Sequence, residues 1–92
     1  MRLRNVKGAD EIIKNSPYII HNYKDYRGKY NSIFNNKNKI LNIEIGMGKG
    51  DFIITMAKRY PHVNFIGIEK FDSVIVRALE KIEEDIPNLR LI

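Results

Sequence analysis

Residues 40–92 alternate between short apolar runs and stretches with apolar residues at helical spacing, and this alternation limits the fold more than any other feature. Ile40-Leu41-Asn42-Ile43-Glu44-Ile45 has the β-branched and aliphatic content of a buried strand. Asp51 stands where a helix should start. Phe52, Ile53, Met56, Ala57 and Tyr60 follow at i, i+1, i+4, i+5 and i+8, and Pro61 stops the pattern. Val63-Asn64-Phe65-Ile66-Gly67-Ile68 reads as a second strand. Asp72 or Ser73 can cap a second helix, in which Val74, Ile75, Ala78, Leu79 and Ile82 repeat the spacing up to Pro87. Leu89 to Ile92 opens a third strand. Connections this short predict parallel strands with right-handed crossovers. The fold class is therefore α/β, the first half of a doubly wound parallel sheet.

Residues 1–38 are predicted to form a basic N-terminal extension, and residues 39–92 an incomplete, N-terminal half of a ligand-binding domain. Asn15, Ser16 and Pro17 break the chain, and Asn35-Asn36-Lys37-Asn38 reads as a loop. Between them Tyr26, Tyr30, Ile33 and Phe34 recur as one face of a short helix, although Gly28 lies inside it. Residues 1–46 hold nine Lys or Arg against four Asp or Glu, whereas residues 47–92 hold seven of each. The whole formal charge of +5 thus falls in the first half, the pattern of a polyanion binder or of a solubilising surface. The absence of cysteine excludes disulfides and thiolate metal sites. No signal-peptide pattern and no membrane-length apolar run is present, so a soluble, cytoplasmic protein is expected.

The three glycines explain the first turn. Gly46, Gly48 and Gly50 fall directly after the first strand, where a doubly wound sheet brings its backbone closest to a ligand. Glycine there allows positive φ and removes the Cβ from the ligand's path. A dinucleotide fingerprint would need its third glycine at position 51, which is Asp51. A phosphate loop would need a hydroxyl after Lys49, where Gly50 stands. Glu44 and Asp51 would also meet a pyrophosphate unfavourably, whereas a ligand with an ammonium and a sulfonium would be attracted by carboxylates. Glu69, directly after the second strand, can accept both hydroxyl protons of a ribose. E-x-G-x-G-x-G thus resembles motif I of the class I S-adenosylmethionine-dependent methyltransferases.

MRLRNVKGADEII, NSPYII, EIGMGKGDFI, FIGIEK and SVIVRALEKI, in this order, resemble the N-terminal part of the bacterial tRNA (guanine-N7-)-methyltransferases. The resemblance runs over essentially all 92 residues. It implies a Rossmann-like fold, S-adenosyl-L-methionine as cofactor, and methyl transfer to N7 of a guanine in the tRNA variable loop. Glu44, Gly46, Gly48, Gly50 and Glu69 would be the cofactor-binding residues. It also implies that the catalytic residues and further cofactor contacts lie beyond Ile92. The chain is expected to be an N-terminal fragment with little activity alone. Arg2, Arg4 and Lys7 would contact tRNA phosphates. A non-catalytic basic remnant that binds RNA or a partner is the alternative.

Other residues carry blander expectations. His21 and His62 have no partner at metal-ligand spacing, so no metal is expected. Tyr18, Tyr23, Tyr26 and Tyr30 are expected to pack rather than stack on bases. Glu80, Glu83, Glu84 and Asp85 are read as the polar face and end of the second helix. The sequence leaves monomer and homodimer equally open.

Overall fold

The structure, a computed structural model, describes residues 8–92. Strands β1 (Ile40–Ile45), β2 (Val63–Ile68) and β3 (Leu89–Leu91) form a parallel sheet in the order β1-β2-β3. Helix α2 (Asp51–Arg59) joins the first pair and helix α3 (Asp72–Glu80) the second. Ile40 pairs with Val63 and Ile45 with Ile68, so β1 and β2 end level with each other. The α/β half-sheet expected from the alternation is what the chain forms.

Alternate residues of β2 feed two cores, as the pleat requires. Phe65 joins Leu89, Leu91, Ile53, Ala57 and Ala78 on the helix side. Ile66 joins Ile20 and Phe34 on the other, with Tyr26, Tyr30 and Leu41 packed around them.

The helices differ in detail from the pattern. In α2 the buried residues are Ile53, Ile54 and Ala57, while Phe52 is 63% exposed, because the sheet-facing arc begins at Ile53. Helix α3 stops at Glu80, and Glu83, Glu84 and Asp85 lie past it rather than on its polar face. Phe71 occupies its N-cap, and neither Asp72 nor Ser73 caps it through a side chain. Ile86 and Leu89 are buried beyond the helix, so the connecting segment packs inward instead of extending α3.

The N-terminal segment has more structure than its composition suggests. Helix α1 (Ala9–Asn15) packs against α3, with Ala9 buried. The short helix expected around Tyr26 and Tyr30 is instead two 3-10 turns, Tyr23–Tyr26 and Tyr30–Ile33. Gly28, at φ 80° between them, breaks the α-helical path. The extension also adds to the sheet. The Leu91 N–H donates to Tyr18 O at 2.7 Å, and the Ile20 N–H donates to Leu91 O at 2.9 Å. Residues 18–20 therefore satisfy part of the outer edge of β3.

Two buried asparagines fix the ends of β2 and β3. Asn64, fully buried, bonds to Asn31, Asn36 and Asn38, which pins the loop before β1 to the start of β2. Asn88 Nδ2 lies within 2.8–3.0 Å of the Ala57 and Tyr60 carbonyls, which the end of α2 leaves without helical partners, and of the Val63 carbonyl at the start of β2.

Candidate ligand-binding site

The carboxyl ends of β1 and β2 carry the glycine turn and Glu69. Gly46, Gly48 and Gly50 all have positive φ, at 74°, 61° and 80°. The Gly46 and Met47 N–H groups both donate to Ile68 O, at 2.8 and 3.0 Å, which fastens the turn to the end of β2. A Cβ at Gly46 or Gly48 would meet nothing within 4 Å, so these two present bare backbone to open space. Gly50 differs: a Cβ there would lie 3.1 Å from Ala78 Cβ and 3.2 Å from Ile54 Cδ1. Its bareness lets the turn pack on α3 and start α2.

Glu69 reaches back to this turn. Its Oε1 accepts from the Gly48 N–H at 3.1 Å, and its Oε2 accepts from the Phe71 N–H at 3.1 Å. The carboxylate thus joins the glycine turn to the N-cap of α3. Each oxygen keeps a further acceptor position.

Glu44 supplies a different signal. It stands next to last in β1, level with Gly67, and its Oε1 is buried with no hydrogen-bond partner. A carboxylate oxygen removed from water and left unpaired is costly, so such an atom marks a place for a donor or a cation. An α-ammonium group fits that need, and a phosphate does not. Asp51 is engaged elsewhere, with its Oδ1 2.5 Å from Lys81 Nζ.

Gly67 belongs to the same construction. A Cβ at this position would collide with Met47 Sδ and crowd Ile53 Cδ1 and Leu91 Cδ2 at 3.2 and 3.3 Å. The missing side chain allows Met47, inside the glycine turn, to fold down onto the sheet. A glycine inside a strand already signals such a close approach.

The remaining candidates separate. Arg2, Arg4 and Lys7 lie outside the described residues. Tyr18 accepts from the Ile86 N–H at 3.0 Å, and Tyr26 and Tyr30 pack with the second core, so these three rings serve packing. Among the described residues no three His, Asp or Glu side chains gather as a metal site would require, and no helix is long and apolar enough to cross a membrane. β1 has no strand on its far side among the described residues, and Ile40, Ile43 and Ile45 are exposed along it.

Comparison with known proteins identifies the family of the chain. Residues 38–92, which hold the sheet and the glycine turn, match the family described as "Putative methyltransferase". The chain is 51% identical over 94 residues to a tRNA (guanine-N(7)-)-methyltransferase of Geobacillus sp. (strain WCH70), covering 100% of this chain and 42% of that protein. It is 50% identical over 84 residues to the protein of the same name from Lachnoclostridium phytofermentans, covering 91% and 39%. The Bacillus subtilis (strain 168) protein of that name is 46% identical over 94 residues, covering 100% and 44%. The chain thus spans about two fifths of the length of these curated relatives.

Proposed function

The chain belongs to this methyltransferase family, and on that premise we propose that its residues hold S-adenosyl-L-methionine for methyl transfer to N7 of a guanine in tRNA. The single observation that carries the donor assignment is the unpartnered, buried Glu44 Oε1 beside an open glycine turn. Glu44 receives the donor's ammonium group. Gly46 and Gly48 let the donor lie against bare backbone, and Gly50 holds the turn on α3. Glu69 accepts the ribose hydroxyls with the acceptor positions that Gly48 and Phe71 leave free. The bound donor supplies a methyl group activated by its sulfonium.

The substrate chemistry asks little else of these residues. Guanine N7 carries a lone pair and no proton, so no general base is needed for attack. Catalysis is then a matter of alignment, which can contribute about 7–11 kcal/mol when reacting groups are held in near-attack geometry. This part of the task is donor positioning. Binding of tRNA is assigned to the basic N-terminal half, through phosphate contacts that include Arg2, Arg4 and Lys7.

Calorimetric titration separates this reading from the other nucleotide ligands. S-adenosyl-L-methionine should saturate one site on the 92-residue chain, while NADH and ATP should give no binding heat. Preference for NADH or ATP would sink the donor assignment. The 92-residue chain by itself should transfer little or no tritiated methyl to tRNA, because β1 has no strand on its far side among the described residues and is left as an edge of the cleft.

A further inference from the structure

Residues 21–39 hold Lys24, Arg27, Lys29, Lys37 and Lys39 against one acidic residue, Asp25. All five cations are exposed, and none has a carboxylate partner among the described residues. The segment packs over Ile66, on the sheet face opposite α2 and α3. The helix side differs. Glu80, Glu83, Glu84 and Asp85 gather there, and Lys58 and Arg77 are paired with Glu84 and Glu80. We infer that residues 21–39 form an RNA-binding face, in which the five cations meet phosphates and the Tyr23 ring stacks on an unpaired base. The inference rests on the tRNA reading above and gives it a surface in the folded part of the chain.

The face is long, and one end of it borders the candidate site. Asn38 Nδ2 donates to the Pro61 carbonyl just before β2, whereas Tyr23 lies beside Ile68 and Ile92 at the carboxyl ends of the strands. The segment thus runs the length of a six-residue strand, about 20 Å. That length can meet several phosphates of one nucleic-acid strand. Tyr23 also lines a cavity together with Glu69, so RNA held on this face brings a base to the edge of the glycine turn. Methyl transfer needs such closeness, because reacting atoms must stand roughly 3–3.5 Å apart.

Tyr23 is the ring that the cores leave over. Tyr18 packs with the first core and Tyr26 and Tyr30 with the second, while Tyr23 joins neither and is 39% exposed. It borders an apolar hollow of about 270 Å³ with Tyr30 and Ile43. Stacking on an exposed ring tolerates any base, and the bases open to it are the unpaired ones in the loops of a folded RNA. Phosphate contacts supply the attraction, and the ring fixes where the strand sits.

Filter binding of a tRNA transcript to the 92-residue chain across a salt series tests this face. With Lys24, Arg27 and Lys29 all changed to Gln, the slope of log affinity against log salt should fall by about two to three, near 0.7–0.9 per lost contact. Lys58→Gln with Arg77→Gln, on the helix side, should leave the slope unchanged. Tyr23→Ala should weaken binding about 5–150-fold, the equivalent of one stacked base, and Tyr23→Phe should bind like the native chain. All of these residues are exposed, so folding should survive, with melting curves as the check. Native tRNA binding with an unchanged slope in the triple variant, or the same affinity in Y23A and Y23F, would overturn this face and leave the tRNA reading standing. No tRNA binding by the unaltered chain would overturn both.

Discussion

Glu69 accepts the Gly48 N–H at 3.1 Å, so the carboxylate that follows β2 holds the glycine turn that follows β1. The same side chain accepts from Phe71 at the N-cap of α3. One residue therefore sets the spacing between three elements before any ligand arrives. On the proposed donor reading, folding and donor binding share this side chain, so changes there should affect both.

Replacing Glu69 by Ala should cost about 1.5–3 kcal/mol of stability, the typical worth of hydrogen bonds to a charged group. Glu69→Gln keeps one acceptor and should lose less. Amide hydrogen exchange without ligand checks the cause: Gly48 and Phe71 should exchange faster in E69A, while amides in the core of β2 keep their relative protection. Unchanged exchange at both amides would remove the bridging role.

The glycines should respond unequally. Ala at Gly46 or Gly48 has room but must adopt positive φ, which costs about 1–2 kcal/mol. Ala at Gly50 meets the same strain and also crowds Ala78 Cβ and Ile54 Cδ1, so it should be worse. Gly67→Ala should lose about 1–3 kcal/mol through overpacking against Met47, with no φ penalty. Urea midpoints rank the four variants. Equal losses at Gly46 and Gly50 would contradict the packing assigned to Gly50.

Asn88→Ala removes the donor shared by the Ala57, Tyr60 and Val63 carbonyls. A buried polar group left unsatisfied costs about 1–3 kcal/mol. In a domain of this size each kcal/mol lowers Tm by roughly 4–8 °C. A melting curve within a degree of the native chain's would show that water replaces the side chain.

These responses also mark where the sequence was readable. The spacing of Ile53, Ala57, Ile75 and Ala78 and the strand runs around Ile43 and Ile66 exposed the α/β order, because burial on one side imposes a period. Gly46, Gly48, Gly50 and Glu69 stood out by their positions relative to the strand ends, and the structure gathers them at one turn. The Asn64 and Asn88 networks were not: each joins residues at least 25 positions apart through single side chains, and no local period records that. The pairing of Tyr18 and Ile20 with Leu91 was hidden for the same reason. The orphaned Glu44 Oε1 became apparent only once burial was known.

The basic N-terminal half should act through phosphates. Changing Arg2, Arg4 and Lys7 together to Ala should weaken tRNA binding and reduce the slope of log affinity against log salt by up to about one per lost contact. Filter binding across a salt series reads this directly. An unchanged slope would remove these three residues from the interface.

The most direct test concerns Glu44 and the part of the donor proposed to meet it. S-adenosyl-L-methionine and 5′-methylthioadenosine share the nucleoside, and the second lacks the amino-acid end. Calorimetry should show Glu44→Gln weakening S-adenosyl-L-methionine about 10–100-fold, the equivalent of a lost charged hydrogen bond, and leaving 5′-methylthioadenosine unaffected. Equal weakening of both ligands, or of neither, would contradict the assignment of the buried Glu44 oxygen to the donor's ammonium group.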